Sequence, residues 1–91
     1  MDEAEIRTIV IDSVVEIQML SGREVGQLND DTRPIKGVLG FDSLNALEAK
    51  HLIEERLKHD LESGFNPFVS GDGKRALSVR EIVIRLKGAI G

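Results

Sequence analysis

The chain has 91 residues, 41% hydrophobic but only 3% aromatic, with no Trp, Tyr or Cys and a net charge of -4. A chain this short can wrap one hydrophobic core and not two, so a single domain over residues 1–91 is expected. Absence of cysteine excludes a disulfide framework and thiolate metal ligation, and a pI near 5.1 without Lys/Arg clusters interleaved with aromatics argues against nucleic-acid binding.

The start Met1-Asp2-Glu3-Ala4-Glu5 is acidic, whereas a secretion signal opens basic, and no apolar run approaches the ~20 residues of a membrane span. A cytoplasmic monomer that does not insert into membranes is expected. Ile6, Ile9, Val10, Val14 and Ile17 recur at three- and four-residue steps, which predicts a first helix over residues 3–20 with Asp2 as its cap. The β-branched residues there would also suit a strand, but Glu5, Arg7, Asp12 and Glu16 follow no two-residue alternation.

Residues 21–41 carry Gly22, Gly26, Asn29, Asp30, Asp31, Pro34, Gly37 and Gly40 and read as a long ordered loop. Val25, Leu28, Ile35, Val38 and Leu39 are its candidate anchors, and the loop is expected to cross the bundle between two parallel-leaning helices. A second helix is predicted over residues 43–60, starting at Asp42 or Ser43, with Leu44, Ala46, Leu47, Ala49, Leu52, Ile53 and Leu57 giving its periodicity.

Gly64, Asn66, Pro67, Gly71 and Gly73 limit any third helix to a turn or two near residues 65–70, anchored by Phe65 and Phe68. Ser78-Val79-Arg80-Glu81 reads as a capping box opening a last helix over 78–90. Ile82, Val83, Leu86 and Ile90 would face inward; Arg80, Arg85 and Lys87 would face water. The fold class is therefore all-α, a bundle of three main helices with a long first loop and an irregular or very short third helix.

The segment Leu39-Gly40-Phe41-Asp42-Ser43-Leu44-Asn45-Ala46-Leu47-Glu48 places a serine where a glycine-bearing loop turns into an amphipathic helix. A phosphate there would meet unpaired amides and the positive end of the helix dipole. Leu44 is expected to turn inward and fix the site. A plain N-cap is the alternative reading of Ser43.

Asp42-Ser43-Leu44, with Gly40 before it and Glu48 one turn on, resembles the signature of the acyl carrier protein family. Helix order and loop lengths are similar along nearly the whole chain. The resemblance implies that a phosphopantetheinyl transferase attaches 4'-phosphopantetheine from coenzyme A to Ser43. It further implies that acyl-loading and acyl-processing enzymes of fatty-acid, polyketide or specialised lipid biosynthesis use the arm's thiol. The protein would then be no enzyme and need no catalytic residues, and its aliphatic interior would shelter the chain between visits.

By the same resemblance, partner recognition falls to Asp42, Leu44, Asn45, Glu48, Glu54 and Glu55. Asn45 replaces a usual acidic residue, Lys50, His51, Arg56 and Lys58 add positive charge, and residues 65–73 depart from the family's short third helix. A peptidyl or aminoacyl carrier shares the serine and the arm, and a non-carrier helical interaction module would use Ser43 only as a cap. A hydrolase would need a base beside Ser43, and no recognisable motif supplies one. His51 and His59 read as solvent-side residues, and Asp30-Asp31 and Asp72-Gly73 lack the full ligand pattern of a calcium loop, so no metal site is expected.

Overall fold

The computed structural model describes residues 1–90, which form four helices and, among those described residues, no strand. Helix α1 spans Glu3–Leu20, α2 is the single turn Pro34–Gly37, α3 spans Ser43–Leu57 and α4 spans Val79–Ile90. No helix is long and apolar enough to cross a membrane among the described residues.

Helix α1 begins as its sequence dictates: Asp2 Oδ1 accepts from the Glu5 amide at 2.9 Å, and Glu5 Oε1 accepts from the Asp2 amide at 3.1 Å. Ile6, Val10, Val14 and Ile17 are buried, with Ile9 packed at the margin. Helix α1 packs on both α3 and α4, and its stripe joins Ala46, Ala49, Ile53 and Leu57 of α3 to Ile82, Val83 and Leu86 of α4 in one cluster. Each large aliphatic side chain fully buried there stabilises the fold by about 1.5–3 kcal/mol.

Contacts along α1 set the helix directions. Lys87 reaches the Met1 carbonyl at 2.6 Å while Arg80 and Arg7 share Asp30, so α4 runs antiparallel to α1. Gln18 and Arg23 meet the start of α3 while Ser13 and Glu16 meet Arg56 near its end, so α3 is also antiparallel to α1. This corrects the expected parallel-leaning pair. The first loop leaves and returns at one end of the bundle.

Its length goes into a detour. Gln18, where Leu39 returns, and Arg7, where Asp30 is held, stand eleven positions apart on α1, or about 16 Å of helix. At the far point the Thr32 and Asp30 carbonyls accept the Val79 and Arg80 amides at 2.9 and 3.0 Å, so the loop satisfies donors that α4 cannot satisfy itself. Arg7 donates to Asp30 at 2.6 Å and holds that carboxyl below its ordinary range. Of the five expected anchors Val38 is buried, Val25, Leu28 and Ile35 are half-buried, and Leu39 is exposed. Helix α2 was not expected; Pro34 starts it, but Ile35 and Lys36 leave helical geometry and end it within one turn.

Helix α3 stops at Leu57, short of the expected residue 60, because Lys58 adopts left-handed geometry with φ +56°. No third helix forms near 65–70. The segment makes turns instead, with Val69 and Ala76 forming an antiparallel bridge and the Leu77 amide donating to the Phe68 carbonyl at 2.9 Å. Phe68 is fully buried and Phe65 half-buried. The capping box at α4 forms as expected: Ser78 Oγ accepts from the Glu81 amide at 3.3 Å and Glu81 Oε1 accepts from the Ser78 amide at 3.0 Å. With Arg75 also donating to it, the Glu81 carboxyl is lowered from 4.5 to about 2.

Two basic residues correct the expected pattern on α4. Arg85 does not face water; it donates to the Asn66 and Val69 carbonyls and lies 4.4 Å over the Phe65 ring. Lys87 is half-buried against the Met1 carbonyl, and only Arg80 is exposed, pairing with Asp31 at 2.9 Å.

Candidate functional site

Ser43 is the first residue of α3, and its side chain is exposed. The cap is Asp42, not the serine. Asp42 Oδ1 accepts from the Asn45 amide at 3.0 Å, and Asn45 Oδ1 returns to the Asp42 amide at 3.4 Å. The Ala46 amide is taken by the Asp42 carbonyl at 2.9 Å. Ser43 Oγ and the Ser43 and Leu44 amides make no hydrogen bond among the described residues. A phosphodiester on Oγ therefore fits: the hydroxyl has no structural duty, and free first-turn amides lie beside it at the positive end of the helix.

A polar hub below fixes this turn in place. Gln18 is fully buried on α1, and its Nε2 donates to the carbonyls of Glu24 at 2.9 Å and Leu39 at 2.8 Å, clasping both ends of the loop. Its Oε1 accepts from Arg23 Nε and Nη2, each at 3.3 Å, and Arg23 Nη2 donates to Asn45 Oδ1 at 2.7 Å. Asn45 Nδ2 completes the chain to Glu48 Oε1 at 2.9 Å. Gly40 makes room for it: its φ is +73°, and a Cβ there would stand 2.5 Å from Arg23 Cδ.

The expected recognition residues separate into two groups. Asp42, Leu44, Glu48 and Glu55 are exposed. Leu44 is 66% exposed and does not turn inward as expected, because the inward positions of this turn are taken by Asn45 and Ala46. Asn45 is buried and spends its polar atoms inside the protein. Glu54 is half-buried and accepts the Leu61 amide at 2.7 Å, holding the chain that follows α3.

Two of the four basic residues that made this helix look mixed in charge are occupied elsewhere. Lys50 is buried and donates to the Glu62 carbonyl at 2.7 Å, and Arg56 pairs with Glu16 at 2.7 Å and donates to Ser13. The exposed residues along α3 include Asp42 and Glu48 within its first turns and His51, Glu55 and Lys58 farther along, and Leu39, Leu44 and Leu47 are exposed within four residues of the serine in sequence. His51 and His59 are exposed, and His51 Nδ1 lies 3.3 Å from Glu54. Among the described residues no group of three or more His, Cys, Asp or Glu is arranged to hold a metal ion.

No family model, curated protein or solved structure matches the chain. The reading of the site rests on its own residues. Sequence reasoning missed Gln18, Arg23, Lys50 and Arg85, and for two of them a signal was present: Gln18 follows Val14 in phase with the α1 stripe, and Lys50 stands between Ala46 and Ile53 in phase with that of α3. A polar residue inside an apolar stripe marks a buried partner.

Proposed function

We propose that this protein is a carrier that holds acyl groups as thioesters on a 4'-phosphopantetheine arm at Ser43. One observation carries the reading: Ser43 is an exposed serine at the first position of α3 whose capping role has been taken by Asp42. The hydroxyl is thus available for modification without loss of the helix start. In the loading step Ser43 Oγ attacks the phosphorus of coenzyme A that bears pantetheine. A new O–P bond forms, the anhydride bond breaks, adenosine 3',5'-bisphosphate departs with the electron pair, and the serine proton passes to a base on the transferase.

The surface around the serine supports the partner side of the proposal. Leu44 and Leu47 are exposed near the serine with Asp42 and Glu48 in the same turns, so acyl-loading and acyl-processing partners would present apolar side chains together with Lys or Arg. Incubation with coenzyme A, magnesium and a broad-specificity phosphopantetheinyl transferase tests the reading by intact mass. Wild type should gain one phosphopantetheine and Ser43→Ala none; a folded wild type that stays unmodified overturns it.

A further inference from the structure

Ser43 Oγ makes no hydrogen bond among the described residues, so the backbone on either side of the serine sets where the hydroxyl stands. Both sides are held by side chains from outside α3. Four positions before the serine, the Leu39 carbonyl accepts from Gln18 Nε2 at 2.8 Å; two positions after it, Asn45 Oδ1 accepts from Arg23 Nη2 at 2.7 Å. One guanidinium joins these two holds, because Arg23 Nε and Nη2 also donate to Gln18 Oε1, each at 3.3 Å. Asn45 carries the restraint into the helix start: the same Oδ1 accepts from the Asp42 amide at 3.4 Å, and the Asn45 amide donates back to Asp42 Oδ1 at 3.0 Å.

The surroundings suit an arginine at this place. A Cβ on Gly40 would stand 2.5 Å from Arg23 Cδ and 2.7 Å from Nε, so the side chain lies against the one residue of the turn that leaves room for it. Gln18 is fully buried and Asn45 is buried, which limits competition from water for the bonds that Arg23 makes to them. A guanidinium is a planar, permanently charged fork that holds two acceptors in a fixed relation, whereas an ammonium is a point charge on a flexible stem. The asparagine at position 45 also fits: it accepts from Arg23 and donates to Glu48 Oε1 at 2.9 Å, and a carboxylate there would have no proton to donate.

We infer that Arg23 is a positioning residue for the loading of Ser43, acting through Gln18 and Asn45 on the two sides of the serine. This rests on the carrier reading above. Attack on phosphorus requires Ser43 Oγ in line with the bond to the departing adenosine 3',5'-bisphosphate, and small displacements of a reacting atom cost rate steeply.

The test is single-turnover loading of the full-length protein with magnesium and saturating coenzyme A and broad-specificity phosphopantetheinyl transferase, on variants that remain folded by circular dichroism. Arg23→Ala should load about tenfold more slowly than wild type. Arg56→Ala removes the hydrogen bonds to Ser13 and Glu16 that join α3 to α1 near the far end of α3, and should load within about twofold of wild type. A general loss of stability would slow both variants alike, and that result, or no slowing in Arg23→Ala, overturns the inference while leaving the carrier reading intact. Arg23→Lys keeps the charge without the fork and should remain about fivefold slow; it also carries the test if the alanine variant does not fold, and loading at the wild-type rate by the lysine variant overturns the inference. A folded wild type that never gains mass defeats the carrier reading itself, and this inference with it.

Discussion

Residues 21–42 and residues 58–78 both join helices through irregular chain, and they are held by opposite kinds of contact. The first connection is organised around one buried amide: Gln18 binds the Glu24 and Leu39 carbonyls and, through Arg23, the Asn45 side chain at the start of α3. The second is organised around a ring, with Phe68 in the core and Lys50 and Arg85 tying down backbone on either side. Directional hydrogen bonds specify position, and apolar burial supplies most of the free energy. The connection that leads into Ser43 is centred on a buried amide, and the one that carries Phe68 is centred on a buried ring with its backbone held by Lys50 and Arg85.

Substitutions can break this contrast. Phe68→Ala should have the largest effect, about 3–5 kcal/mol of stability by urea unfolding, because it empties a fully closed site. Gln18→Ala should cost less, about 2 kcal/mol, from carbonyls left without donors. Its signature should be local: amide exchange should accelerate across residues 23–41 and stay unchanged across 65–77. Equal acceleration in both connections would show that the hub serves the whole core rather than the Ser43 turn.

The next pair sharpens the assignment of the helix start. Asp42→Ala should lower stability by about 1 kcal/mol through loss of the cap. Ser43→Ala should change it by less than about 0.5 kcal/mol while abolishing phosphopantetheine loading. If the two cost the same, Ser43 shares the capping role and its availability for modification is weaker than its exposure suggests.

The smallest effect is expected at the α4 end of the second connection. The Glu81 carboxyl, held by the Ser78 amide and Arg75, is depressed from 4.5 to about 2. A depressed carboxyl binds its proton more readily in the unfolded chain, so its contribution is full above about pH 4.5 and is lost as pH falls towards 2. Stability should fall across that window and the Ser78 amide signal should shift only as pH approaches about 2, and Glu81→Gln should remove both responses; an unchanged acid response in the variant would place its origin elsewhere.

Much of this was legible in advance. The α1 stripe, the Asp2 cap, the Ser78–Glu81 box and the change of character at residue 21 are local patterns, and local hydrogen bonds and periodicity decide them. Residues 65–70 take the irregular of the two courses expected for them, because Pro67 and the glycines around it remove a helix rather than shorten it. The loop-to-helix junction predicts Leu44 turned inward, but the turn presents Asn45 and Ala46 to the core. Charge usually lies outside, which predicts Lys50, Arg56 and Arg85 facing solvent, but each finds acceptors on a distant segment or helix.

Sequence by itself determined where helices could start and persist and narrowed the start of α3 to Asp42 or Ser43, since these depend on neighbours three and four positions away. Tertiary structure alone decided that α3 runs antiparallel to α1, that the first loop travels down to the α4 amides and back, and that the charges of α3 divide between surface and interior. Those outcomes depend on hydrogen-bond partners 12 to 50 positions away in the chain, and no pattern within one helix records where such a partner will be.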